Sequence, residues 1–488
     1  MKDETISQIG PSESVQVPAG ATVIDGEEKV YLMPGLTDMH THLRYETDLQ
    51  LYLANGVTLV RSMNGRPYHI EWRDKVAHGQ LLGPDIVTAG PILGRASNGH
   101  VDLITEDDGV REVDKEKAEG YDFIKVYDEL PKAAYLGVVK EARRVGMPVA
   151  GHVNRDLALE GVLDNHQASV EHAEQIVYHF FGHDYDESKI PYIASRFKEA
   201  GSYLVPTAQT IPDLAQLYEN KKVVLDRPEV KYVQPETLLY WASVRKDSSA
   251  ENRALDTFQG KIINGFEKAG VPMLTGTDSY LFGAVMGFSL HREFKRLSAA
   301  GLTNYQILEM STKNAGEYLH RDLGTIRVGA RANLLLVDGD PTADLEVLSH
   351  PYGVFVQNQW LPRVKLEVML ADIAKDFEAG QRFIWTYENS GVGPMLDEYD
   401  REGPFSHEDL VFNEIGNDLT SGQPKDAVRV LERCTKDYPN WWYGFDSLGD
   451  AYRTVGNKQA AIDAYKRSLT LNPKNRNAVD WIKKLSSG

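Results

Sequence analysis

The sequence predicts an α/β protein: a (β/α)8 TIM-like barrel, a small β-sandwich built from both flanks of that barrel, and an all-α helical repeat module at the C-terminus. Three observations carry this. Between Gly35 and about Ala315, short apolar runs alternate with helical patterns. The stretches on either side of that region read as strands and tight turns. The residues from His407 onward repeat with a 34-residue period. A chain of 488 residues has room for about three such units.

In chain order, Ile6–Ile9, Val15–Val17, Thr22–Ile24 and Val30–Met33 are short strand candidates punctuated by Gly-Pro and Asp-Gly, and residues 1–34 form one half of the sandwich. The barrel, 35–323, takes strands from Val57–Val60, Asp85–Ala89, Phe123–Val126, Val149–His152, Ala168–Val170, Tyr203–Pro206 and Pro272–Thr275. A doubly wound sheet is disfavoured because no Gly-x-Gly-x-x-Gly follows the first strand. Residues 324–362 return to strands and turns and supply the other half of the sandwich. Residues 363–406 hold an amphipathic segment, Leu366–Phe377, and then a Gly-, Asn- and Pro-containing stretch that reads as a linker. In 407–488 the pairs Gly422/Gly456, Ala427/Ala461, Leu431/Tyr465 and Pro439/Pro473 are each 34 apart, the tetratricopeptide spacing of paired helices. Two repeats bury too little by themselves, so this tail is a candidate surface for self-association, a protein partner or a lid.

Composition narrows the partners. With 53 Lys+Arg against 71 Asp+Glu the net charge is −18, which argues against nucleic acid or an anionic membrane surface. No apolar run is long enough to cross a bilayer. The single cysteine, Cys434, excludes an intrachain disulfide and a thiolate metal cluster, so any metal must be held by nitrogen and oxygen. Fourteen histidines make that feasible.

His40 and His42 end the apolar run Met33–Met39, and residues at i and i+2 of an extended chain face the same side. Taken alone, the pair could equally be two surface histidines. His152 closes a second strand, His172 a third, and Asp278 follows a fourth. Polar residues at strand C-termini converge in a barrel, and this N/O set suits Zn²⁺ or a similar divalent ion. His166, His179 and His183 lie off strand ends and read as surface or supporting residues. Lys125 sits inside the apolar strand Tyr121–Tyr127, where a bare ammonium is costly. It either pairs with Asp128 or Glu129, or reacts with CO₂ to become a carbamate able to bridge two metals.

The segments PGLTDMHTHL, DFIKVYD, VAGHVN, SVEHAE and LTGTDS, in that order, with the late GTIRVGARANLLLVD, resemble the amidohydrolase superfamily, most closely its imidazolonepropionase-like and prolidase-like metal-dependent hydrolases. The resemblance spans about residues 5–360. It implies that His40, His42 and Asp278 bind one metal, that a carboxylated Lys125 bridges, and that His152 and His172 bind the second, with zinc as the expected ion. It further implies hydrolysis of a peptide-like or N-acyl amide by a metal-bridging hydroxide, with Asp278 as general acid and base. Tyr127, on the same strand face as Lys125, and His100, in the Ser97–His100 loop, become candidates for substrate contact, while His291 reads as supporting or packing. The family carries a strand or two before the segment matching Ile6–Ile9, so the resemblance implies a trimmed start and leaves the compartment open between cytoplasm and export. Two other readings stand: a one-metal hydrolase or deaminase of a cyclic amide or imide with unmodified Lys125, and a scaffold on an inactive barrel.

Overall fold

The computed structural model describes residues 1–2, 4–96, 99–182, 184–244, 250–405 and 408–486. They fall into two compact units, Met1–Val224 with Arg245–Ala371, and Leu225–Val244 with Asp372–Gly488.

In the first unit, β1 (Tyr31–Pro34) is followed by the parallel strands β2 (Leu36–Thr41), β3 (Val57–Ser62) and β4 (Asp85–Thr88), paired in that order. A second parallel sheet holds β5 (Leu93–Gly94), β6 (Val101–Asp102), β7 (Ile124–Val126), β8 (Val149–Gly151), β9 (Ser169–Glu171) and β10 (Tyr203–Val205) in the order β10-β9-β8-β7-β5-β6. Single parallel bridges join Ala89 to Phe123, Leu204 to Met273 and Thr41 to Ser279. The run Pro272–Thr275 is therefore tied to its neighbours by bridges rather than built into a strand. Both β2 and β3 are buried along their whole length, the pattern of parallel strands covered on both faces.

The connecting helices carry their own signals. Thr105 caps helix Glu106–Glu119 by accepting from the Asp108 N–H, and Gly120, at φ 94°, ends it. That helix meets helix Lys132–Val145 backbone to backbone. A Cβ on Gly109 would lie 2.4 Å from Ala134 O, and one on Gly137 2.1 Å from Glu106 O.

β1 pairs antiparallel with β11 (Leu334–Val337), which continues through β12 (Gly353–Val356) to β13 (Gln359–Pro362). Both flanks of the barrel region thus share one four-stranded sheet. The expected strands Ile6–Ile9, Val15–Val17 and Thr22–Ile24 are not formed. Only Ile6 is anchored, in a cluster with Ala330, Ala332 and Leu334, while Ile9, Val17 and Val23 are exposed. With no apolar face to bury, those segments gain nothing from pairing.

Residues 363–402 are two helices, Arg363–Ser390 and Val392–Glu402, rather than a linker. Gly391, at φ 80°, only turns the chain between them. Residues 225–244, placed by sequence in the barrel, belong to the second unit, where the Gln381 amide donates to Val230 O and Val233 O. The helices Glu408–Gly422, Pro424–Asp437, Trp442–Thr454, Lys458–Leu471 and Arg476–Ser486 follow. Gly416 makes room for Leu431 as Gly449 does for Tyr465, and Ala461, Tyr465 and Ala478 form a buried cluster. Among the described residues no helix is long and apolar enough to cross a membrane.

One buried group makes a stability prediction. Glu116 is fully buried, neither carboxylate oxygen has a hydrogen-bond partner among the described residues, and burial, reinforced by Glu112 and Glu119, holds its carboxyl well above the usual range. The native state keeps a proton that the unfolded chain loses near 4.5, so this group's contribution is full below that pH and is lost as pH rises. Glu116→Gln should therefore raise Tm by about 2–4 °C at pH 8 and leave it unchanged at pH 4, as thermal unfolding will show.

Candidate metal centre and active site

The strand ends bring their polar residues together. His42 N–H donates to Ser279 O at 2.7 Å, Asp278 N–H to His40 O at 2.8 Å, His152 N–H to Val126 O at 3.1 Å and His172 N–H to Val205 O at 2.8 Å. Each candidate ligand is thus pinned by the neighbouring segment. Asp38, fully buried beneath them, accepts from Thr277 Oγ1 at 2.6 Å and fixes the turn that carries Asp278, and burial pushes its carboxyl up to about 6. Gly276 is required here, because a Cβ on it would lie 2.7 Å from His40 Cβ.

His40, His42 and Asp278 place ligand atoms within 4.8 Å of one another. His42 Nε2 donates to Asp278 Oδ1 at 2.9 Å, and His40 Nε2 lies 3.4 Å from the same oxygen. Burial opposes ionisation of Asp278, but the close approach of His40 and the hydrogen bond from His42 outweigh it and hold the carboxyl well below its usual range. The ring of His172 is 4.5 Å from that of His40 and 4.8 Å from that of His152, whose other face meets Tyr127 at 3.9 Å. Burial, reinforced by neighbouring cations, drives both His152 and His172 well below the usual imidazole value, so both rings are neutral, the form that binds metal.

The rings of His40 and His172 are held from behind. His40 Nδ1–H donates to Glu171 Oε2 at 2.7 Å, and His172 Nδ1 shares a hydrogen bond of 2.8 Å with Thr207 Oγ1. With Nδ1 committed to the carboxylate, His40 Nε2 is buried and has no hydrogen-bond partner among the described residues. A ligating histidine held by a carboxylate at its far nitrogen is the usual support for a bound cation. Glu171 also accepts from Arg61 at 2.8 Å, and the guanidinium, with His40, keeps it ionised in spite of its burial.

Lys125 is fully buried and forms no ion pair among the described residues, because Asp128 pairs with Arg155 and Glu129 with His100. Burial brings its ammonium down to about 8. One cavity of about 740 Å³ is lined by His40, His42, His100, Lys125, Tyr127, His152, His172 and Asp278. Burial holds the Tyr127 phenol above its usual value, so it stays a donor. His100 Nδ1 meets Glu129 Oε1 at 2.8 Å.

The remaining histidines lie elsewhere. His166 is exposed and bonds Ala200 O, His179 is on the half-buried turn after helix Ala173–Ile176, and His291 packs on Phe294. His183, and Ser97 and Asn98 of the His100 loop, lie outside the described residues. Sequence reasoning missed Glu171, Arg61 and Asp38 in the support, and Glu174, Gln175, Thr210, Arg44, Arg66 and Tyr280 in the cavity wall. Arg61 carried a signal, a charge inside the apolar strand Val57–Ser62.

No curated protein sequence matches the chain. Among solved structures it is similar to a bottromycin amidohydrolase (24% identity over 71% of this chain and 80% of that one, TM-score 0.59). It is also similar to a Xaa-Pro dipeptidase with bound methionine in the active site (20%, 74% and 93%, 0.54). A third is the ochratoxinase of A. niger (19%, 67% and 82%, 0.52). These likenesses are of fold. Residues 31–361 match the model of the amidohydrolase family, a span holding both flanking strands and every cavity residue named above. The chain therefore belongs to the amidohydrolase family and is a hydrolase acting on carbon–nitrogen bonds.

Proposed function

We propose that the chain hydrolyses an amide bond of a peptide-like or N-acyl amino acid substrate at a centre for two divalent cations, zinc foremost. The observation that carries this is the gathering of four imidazoles, one carboxylate and one buried lysine around a single cavity, with His40 Nε2 buried and without a hydrogen-bond partner among the described residues. That donor set fits a cation of N/O preference. His40, His42 and Asp278 would hold one ion, His152 and His172 the other, and a carboxylated Lys125 would join them. Bound there, the ions would acidify a water and polarise the scissile carbonyl.

The chain's own residues do the rest. Asp278, oriented by His42, takes the proton from the attacking water and delivers it to the leaving nitrogen. Tyr127 donates to the carbonyl oxygen, and His100, braced by Glu129, holds the substrate's far end. Lys125, at about 8, has enough free amine near neutrality to add CO₂, losing a proton to give the carbamate. We also infer that the three parallel bridges close an eight-stranded barrel, that the four-stranded sheet is the sandwich remnant, and that the tail hairpins are tetratricopeptide-like.

A one-cation reading has one point in its favour: only His40, His42 and Asp278 form a ligand-spaced group among the described residues. Metal analysis separates the two. About two ions per chain, with metal and activity lost in Lys125→Ala, is the expected result. One ion, with activity retained in that variant on dipeptides, N-acyl amino acids or cyclic amides, overturns it.

A further inference from the structure

Three oxygens in the wall of the same cavity have no role in holding the centre. Glu174 Oε2, Gln175 Oε1 and Thr210 Oγ1 are each buried without a hydrogen-bond partner among the described residues, on residues that line the cavity and are more than nine-tenths buried. Glu174 and Gln175 open the helix Ala173–Ile176 directly after His172, and Thr210 lies one turn beyond Thr207, which holds the His172 ring. Left empty, such acceptors cost free energy. Among the described residues no Lys or Arg pairs with Glu174, and the basic group within ion-pair distance is His172 Nδ1, 3.9 Å from Glu174 Oε1.

Three acceptors, one of them a carboxylate, match a group with three N–H donors, a positive charge and no acceptor, which is a primary ammonium. Glu174 and Gln175 follow His172 directly in the chain and share its cavity, which sets where that ammonium sits in the substrate. An α-ammonium is two bonds from the carbonyl carbon of its own residue, whereas a lysine-type ammonium is far removed from it. Resting on the amide-hydrolase reading above, we propose that Glu174, Gln175 and Thr210 form a subsite for the free α-ammonium of the acyl-side residue, so that the substrates are aminoacyl compounds with an unblocked amino terminus. N-acyl amino acids, which put a neutral amide there, lose both the charge and two of the donors. Glu174 and its neighbours are specificity residues in this scheme and take no part in the proton transfers.

The test uses the metal-loaded full chain with an equimolar Xaa-Gly dipeptide library and the same library N-acetylated. Free dipeptides should be consumed at least about tenfold faster, the ratio that follows from losing a charge-assisted hydrogen bond. Glu174→Gln should erase that preference through KM while kcat stays within about threefold. Gln175→Glu, adding a second carboxylate, should widen it. Equal consumption of both libraries, or a preference untouched in both variants, overturns the subsite. Hydrolysis of neither library would count against the amide-hydrolase reading alone, because binding judges the subsite separately. Alaninol, leucinol and phenylalaninol, which carry the ammonium but no scissile bond, should bind the parent protein at least about tenfold more tightly than Glu174→Gln by calorimetry. Equal binding, or none, overturns the proposal.

Discussion

Replacing Asp278 by asparagine is expected to lower kcat by about 10²- to 10⁴-fold while leaving the fold intact. The carboxylate is in contact with both His40 and His42, and those contacts hold it ionised, ready to accept a proton. Asparagine keeps the shape and can still accept from His42 through its carbonyl, so the loss reports proton transfer and ligand charge rather than packing. Steady-state kinetics on a turned-over dipeptide, with metal content measured alongside, separates the two. A fall in kcat at unchanged metal content assigns the effect to proton transfer, and a parallel loss of metal to ligation. A variant with parental kcat would remove Asp278 from the chemistry.

Arg61→Met should be the most destabilising single change beneath the cavity, by about 3–5 kcal/mol, because it strips the counter-ion from a buried carboxylate. The Arg61 guanidinium is fully buried and donates to Glu171 at 2.8 Å, Tyr318 Oη at 2.8 Å, Ser169 Oγ at 3.1 Å and Met39 O at 2.6 Å. Methionine fills much of the volume but leaves Glu171 without the guanidinium that pairs with it at 2.8 Å, and only the more distant Lys125 and the His40 ring still oppose its charge. The double variant Arg61→Met/Glu171→Gln should recover part of the loss, since the uncompensated charge is then gone. Urea unfolding of the parent, both single variants and the double variant closes this cycle. If Glu171→Gln does not rescue Arg61→Met, the buried ion pair is not what holds this layer together.

The residues that were legible in the sequence share a physical reason: each breaks a local pattern. His40 and His42 interrupt an apolar run with a period-2 pair, and Lys125 places a charge where the strand is otherwise apolar. Glu171 breaks no such pattern. It lies in a segment already marked by His172, yet its partners Arg61 and His40 stand 110 and 131 residues away, a pairing only the folded sheet creates. The three acceptors at Glu174, Gln175 and Thr210 were equally silent, because a polar residue on a helix looks solvated until the cavity behind it is seen. In the fold the errors run the other way. Val15–Val17 and Thr22–Ile24 have strand-forming residues but no surface to cover, and the Gly391–Pro394 region looked like a spacer although Pro394 sits in the first turn of a helix, where a missing N–H costs nothing.

The backbone contact between helices Glu106–Glu119 and Lys132–Val145 bears on how this enzyme tolerates change. β7, with Lys125, is the chain between those two helices, so their spacing sets where the lysine stands. A side chain at Gly109 or Gly137 would wedge the pair apart and shift a residue it never touches. Mutational sensitivity will therefore not fade evenly with distance from the cavity. It will reappear on the outer layer, at two glycines that carry no functional group at all.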